Sequence, residues 1–243
     1  MESVLTLVSE EAPAAGIEIK RNRMRRNFVF VLFGAWAVLT LAGVASGYWQ
    51  VSLLEEFQAT GMIDPDEATM SDFIHGGIGI LQSVIYIATA VLFLMWFRRA
   101  YANLHRLGIT YLRHKDDWAI WSWIIPILSF WYPVRIMYEI WNETGEQAKK
   151  LTPNFQIPEG KWVIGLWWTL FIIDNFLARI LLRSAFKEET LPQMIQSTEL
   201  MMISDAVGVL EAASLICIVW AIGKMELSLV EGIRRNGGRV AKD

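Results

Sequence analysis

The chain has 243 residues, of which 54% are hydrophobic and only 19% charged, below the roughly 25% charged residues of an average soluble domain. Twelve Trp and twelve Phe stand beside 22 basic and 25 acidic side chains, for a net charge of −3. This balance excludes a disordered chain, a disulfide-stapled module and a nucleic-acid binder working by bulk charge, argues against an ordinary soluble enzyme, and assigns the surplus apolar surface to lipid.

Residues 1–26 carry Glu2, Glu10, Glu11 and Glu18 before a basic cluster of Lys20, Arg21, Arg23, Arg25 and Arg26. Acid precedes base and no cleavage site follows the first apolar run, so no removable secretory signal is expected. A hydrocarbon core about 30 Å thick needs about 20 apolar residues in helix. Four stretches meet that length: 28–49, 73–96, 162–183 and 202–223. The loop after the first holds Glu55, Glu56, Asp64, Asp66, Glu67 and Asp72 without Lys or Arg, whereas the loop after the second is basic, with Arg98, Arg99, Arg106, Arg113 and Lys115. Between the last two stand Lys187, Glu188, Glu189 and Glu199, and the tail ends with Arg234, Arg235, Arg239 and Lys242. The positive-inside rule then places both termini in the cytoplasm, which requires an even number of crossings. Residues 27–226 read as one membrane domain between a cytoplasmic tail, 1–26, and a basic cytoplasmic tail, 227–243.

A fifth apolar stretch, within 118–141, is broken by Pro126 and Pro133 and contains five of the twelve tryptophans. Proline removes a backbone donor and clashes with the preceding turn, so a straight spanning helix is not expected there. Three arrangements remain open: a re-entrant helical element held by the spans, a helix pair lying flat at the headgroup level, or a true fifth span. Asp116 or Asp117 is the expected N-cap and Gly145 the expected stop. The second span is expected to run on as a cytoplasmic helix to Leu107 and to end at Gly108. The fold class is therefore all-α: a helical bundle in the membrane with four spanning helices plus a Pro/Trp-rich re-entrant or interfacial element.

The run Phe93-Leu-Met-Trp96-Phe-Arg98-Arg99-Ala100-Tyr101-Ala-Asn103-Leu104, followed by Trp118, Trp123 and the sequence P-I-L-S-F-W-Y-P from Pro126 to Pro133, then Tyr138-Glu139-Ile140-Trp141, resembles a bacterial multi-pass membrane family catalogued as domain of unknown function 4328. The resemblance spans roughly residues 73–215, and 93–141 is its most specific part. It implies a multi-pass protein of the bacterial inner membrane and carries no activity, cofactor or catalytic residue with it.

Ionisable groups inside spans are costly and point to function or to a named partner. The third span contains Asp174, Asn175 and Arg179, and the fourth Asp205 and Glu211. Counting from the outer ends places Gln82, Asp174 and Glu211 at one depth, joined by Thr40, with Asn175 beside them. Arg179 and Asp205 share a shallower level. Arg179 is expected to pair with Asp205, and the deeper layer either satisfies itself, carries protons or ions, or borders a lipid or ligand cavity. On the cytoplasmic side Arg98, Arg99, Asn103, Arg135, Glu139 and Trp141 form a candidate interaction face. Arg135 is expected to pair with Glu139, or Glu139 with Arg98 or Arg99. Cys217, between apolar neighbours, is expected to be buried, and Gly76, Gly77 and Gly79 to serve close helix packing. His75 is expected to be an ordinary interfacial histidine, and no catalytic, metal-binding or nucleotide-binding motif is found. The expected function is a non-enzymatic membrane subunit or regulator, without cofactor, that meets lipid, including anionic lipid, or a protein partner or second copy of itself. The alternative is a small transporter or channel using Gln82, Asp174 and Glu211.

Overall fold

The computed structural model describes residues 16–185 and 190–241. Glu2, Glu10, Glu11, Lys187, Glu188, Glu189 and Lys242, which entered the charge argument, lie outside the described residues. Four helices are long and apolar enough to cross a membrane: α1, Arg23–Thr60; α2, Pro65–Arg106; α5, Trp162–Ala185; and α6, Leu191–Arg235. Shorter α3, Trp118–Ile124, and α4, Tyr132–Leu151, lie between α2 and α5. At 1.5 Å per residue, the 38, 42 and 45 residues of α1, α2 and α6 measure roughly 57 to 68 Å, about twice the hydrocarbon thickness. The apolar stretches are thus the middles of longer rods whose polar ends project from the membrane. Local chemistry fixes those ends. Asp64 accepts from the amide of Asp66 at 2.9 Å with Pro65 at the first helical position, and Thr190 and Gln193 form a reciprocal cap on α6. Gly61, at φ 71°, closes α1 in the left-handed conformation that a side chain would resist.

Apolar side chains such as Val31, Val38, Ile80, Ile87, Leu182 and Ile203 are exposed along the outside of the bundle, the surface that the composition assigned to lipid. Between the rods, small residues permit close approach. A Cβ at Gly208 would stand 2.6 Å from the Trp36 ring, and one at Gly47 would stand 2.9 Å from the Met202 side chain. Gly76, Gly77 and Gly79 do not serve this purpose, since nothing lies within 4 Å of a Cβ at any of them. Their run faces out of the bundle, and Gly43, Gly47 and Gly208 on other helices make the contacts instead. Cys217 is also exposed rather than buried. Its flanking apolar residues are shared between core and lipid, so apolar neighbours in sequence did not identify the inner face.

A two-stranded parallel ribbon ties the chain ends together. Strand β1, Glu18–Lys20, pairs with β2, Arg239–Ala241, with Ile19 opposite Val240. Asn103 at the end of α2 completes it, accepting from the Lys20 amide at 3.0 Å and donating to the Lys20 carbonyl at 2.7 Å. Both described ends therefore lie at the end of the bundle where α2 stops and α6 finishes, consistent with an even number of crossings.

The segment after α2 enters and leaves at that same end. Trp118 and Tyr132 stand 5.7 Å apart with His114 against both, forming the neck of a hairpin. Farther in, Trp123 meets Phe93, Trp167 and Phe171, and the Phe130 carbonyl accepts from the Trp168 indole at 3.1 Å. The tip, Pro126 to Ser129, borders a recess with Asn175, Phe176 and Arg179 on α5. Entry and exit at one end are those of a re-entrant or interfacial element rather than of a fifth span. It packs on α2 and α5 through Trp123 and Phe130, while Trp121, Ile124, Ile127 and Trp131 are exposed on its other side. Helix α4 then runs along the end of α6. Gly145 does not end it, because the missing side chain admits Met225 and Ile157, each 3.1 Å from where a Cβ would be, and the helix continues to Leu151. The most tightly packed core lies here: Trp96, Phe97, Tyr101, Ile136, Met137, Ile140, Ile218 and Ile222 are inaccessible to solvent.

Candidate functional site

Helices α5 and α6 bring the intramembrane acids together, but in a different pairing from that expected. The Ser204 hydroxyl donates to Asp174 at 2.7 Å, and the Gln82 amide donates to Asp205 at 3.4 Å. Asp174 lies close enough to both Asp205 and Glu211 for electrostatic interaction, so three carboxyls form one cluster. Gln82 belongs to it through Asp205. Thr40 turns back on its own helix and donates to the Trp36 carbonyl at 2.9 Å.

Arg179 makes no ion pair with Asp205. The ion pairs Arg98–Asp117 and Arg113–Glu139 lie at the opposite end of the bundle. The reason is helical phase: Arg179 is five positions past Asp174, about 140° round α5, so equal depth did not mean a shared face. It is exposed and borders the recess beneath the re-entrant tip. Asn175 borders the same recess and donates to the Phe171 carbonyl at 2.8 Å, outside the acid cluster.

Asp174 and Glu211 border a chamber of about 150 Å³ to which all four long helices and the re-entrant element contribute. Its other walls include Phe33 and Trp36 from α1, Tyr86 and Phe93 from α2, Trp123 from the re-entrant element, and Trp167 and Phe171 from α5. The Trp167 indole approaches the Glu211 carboxyl but falls short of hydrogen-bond geometry. Sequence reasoning missed this aromatic wall, because it left the placement of Trp123 open among three arrangements. The available signal was that Trp167 stands seven residues, about two turns, before Asp174 and so shares its face.

At the end that carries the chain termini, the proposed face is largely internal. Asn103 is consumed by the β1 clamp, and Trp141 is buried at 4% exposure. Glu139 does not pair with Arg135, Arg98 or Arg99. It accepts from the buried Tyr101 hydroxyl at 2.7 Å and meets Arg113 at 4.0 Å, because a buried hydroxyl must find an acceptor. Arg98 instead binds Asp117 at 2.6 Å, Arg99 donates to the Arg21 carbonyl, and Arg135 is exposed. Asp117, at the N-cap of α3, therefore spends its carboxylate on an ion pair rather than on a cap. Burial lowers the pKa of His114 below its usual value, an effect that Glu139 opposes and that Arg135 and Arg113 reinforce.

Beside these residues is a recess of about 310 Å³ bordered by Lys20, Arg25, Arg98, Arg99 and Arg106, with Asp116 as the acidic group. Arg25 Nη1 is buried and has no hydrogen-bond partner. At the other end, His75 shares a 2.7 Å hydrogen bond with Ser46, while Asp72 accepts from Gln50. Among the described residues no group of three or more His, Cys, Asp or Glu is placed to hold a metal ion.

Comparison with curated proteins and with solved structures finds no match. The family model described as Domain of unknown function (DUF4328) matches residues 59–224, from the end of α1 to near the end of α6, and covers the re-entrant element and the chamber's α2, α5 and α6 walls. Matched over more than half its length, the chain belongs to the DUF4328 family.

Proposed function

We propose that the protein is a non-enzymatic component of the bacterial inner membrane, its termini in the cytoplasm, that holds anionic lipid through the basic recess at that end. The observation that carries this reading is the recess itself: five cationic side chains from two separate chain segments border one space with Asp116 as its acidic group, and Arg98 is paired with a further carboxylate, Asp117, outside it. Juxtamembrane Lys and Arg each gain about 1 kcal/mol from an anionic leaflet, and a phosphate can satisfy a guanidinium nitrogen such as Arg25 Nη1, which has no protein acceptor. The test is thermal stability of the purified protein in neutral detergent, titrated with phosphatidylglycerol, phosphatidylcholine or inorganic phosphate. Phosphatidylglycerol is expected to raise Tm, with the gain diminished by salt and by Arg25→Gln with Arg106→Gln. Equal stabilisation by phosphatidylcholine would sink the reading, and equal stabilisation by free phosphate would reassign the recess to a soluble anion.

A second reading, passage of protons or ions through the bundle, is favoured by the electrostatic influence of Asp174 on both Asp205 and Glu211. Proton flux into vesicles that is lost in Asp174→Asn with Glu211→Gln would support it. Flux equal to that of empty vesicles would remove it.

A further inference from the structure

The intramembrane chamber has a composition that selects a ligand class. Two carboxyls, Asp174 and Glu211, share walls with Trp36, Tyr86, Phe93, Trp123 and Trp167, and no Lys, Arg or His borders the space. From these walls we propose that the chamber binds a small organic monocation, such as a quaternary or protonated amine. The proposal shares Asp174 and Glu211 with the ion-path reading but does not need it, because a molecule can bind without crossing.

Each alternative occupant conflicts with the chamber. A hard metal ion wants six or more oxygen ligands in exchange for its hydration shell, whereas these walls are mostly rings. An anion would meet two acids and no base. A neutral apolar molecule would leave Glu211 with no charge opposite it and Asp174 with only the Ser204 hydroxyl, which low dielectric penalises. A lone proton needs no chamber, yet about 150 Å³ is kept open, the volume that holds a benzene-sized molecule in a protein core. An organic cation satisfies every wall. Its charge offsets one of the two carboxyls, and its weakly hydrated alkyl groups pack on aromatic rings, whose faces attract cations most strongly when water is excluded.

Trp167 is 1% exposed and borders the chamber, and its indole Nε1 lies near the Glu211 carboxyl without completing a hydrogen bond to it; the Trp123 indole on the same wall is buried and unpaired too. A buried unpaired donor costs about 1–3 kcal/mol, and an oxygen on a bound molecule would relieve it at either ring.

The experiment uses the full chain in lipid nanodiscs, with choline as probe and 3,3-dimethylbutan-1-ol as its neutral isostere, read by calorimetry and by tryptophan fluorescence. Choline is expected to bind saturably and at least about tenfold more tightly than the isostere, the scale that a desolvated cation–aromatic contact supports. Asp174→Asn with Glu211→Gln, which preserve shape, should erase that tenfold preference, and equimolar sodium should not displace choline. Equal affinity for the two isosteres, an undiminished preference in the folded double variant, or displacement by sodium would each overturn the proposal. If the double variant does not fold, the isostere comparison on the native chain decides. Proton flux without choline binding would leave the path and remove the site, whereas choline binding without flux would do the reverse.

Discussion

The two ends of this bundle's interior are built by different rules. Near the chain termini, α2, α4 and α6 enclose a dense core in which Trp96, Ile136, Ile140 and Ile222 are fully buried, and polar groups such as Asn103 and Tyr101 have partners. Deeper in the spans, α1, α2, α5 and α6 surround a chamber walled by acids and rings. The contrast separates a scaffold from a site. Apolar packing is densest where α4 joins α2 and α6, and an aromatic-lined space remains where the long rods meet one another and the re-entrant tip.

The largest expected effect tests the layout on which the comparison rests. In a Cys217→Ala background, single cysteines at Asn154 and Gln196 are exposed at opposite ends of the bundle. An impermeant thiol reagent applied to intact cells should label Gln196→Cys fully and Asn154→Cys not at all. Labelling of both from outside would make 118–141 a crossing segment.

Next in size is the packing difference. Ile140→Ala in the dense core should cost about 2–5 kcal/mol of stability, read as loss of folded protein in a detergent unfolding series. Phe171→Ala in the chamber wall should cost well under half of that, because its ring already borders open space. Equal losses would erase the distinction. A smaller contrast separates the glycines. Gly208→Ala drives a methyl into the Trp36 ring and should cost about 1–3 kcal/mol, whereas Gly77→Ala meets nothing and should be neutral or slightly stabilising.

The smallest effect is pH-dependent and belongs to the terminus end. Folding lowers the His114 pKa, mainly through burial, so in acid the unfolded chain binds more protons there than the native one. Stability from this group is complete above the usual histidine value of 6.5 and declines as pH falls through that value toward the lower folded one. A Tm series across this range should fall on acidification, and His114→Gln should flatten it. An identical slope in the variant would place the responsible group elsewhere.

Much of the fold was legible because the bilayer imposes a length on the sequence. The stretch 162–183 coincides almost residue for residue with the described α5, Trp162–Ala185. Helix α6 runs more than a turn beyond 202–223 at both ends, because polar residues continue a helix without altering hydropathy. The prolines at 126 and 133 revealed a break, but the packing of Trp123 and Phe130 on α2 and α5, which the prolines do not encode, decided where the broken element sits in the bundle. Strand β1 was invisible because three residues gain strand character only from a partner more than 200 positions away.

For the site, the sequence determined which ionisable groups enter the membrane, Asp174, Asp205 and Glu211, because composition and length alone fix what lies within an apolar stretch. It could not determine their partners. Depth along a helix follows from counting, but azimuth depends on how four rods rotate against one another, and that is decided by contacts such as Gly208 against Trp36 and Gly47 against Met202. Rotation gave Asp205 to Gln82 and turned Arg179 outward. It also brought rings from distant parts of the chain around two acids. The sequence specified the rods and their charges, and tertiary packing alone made the chamber.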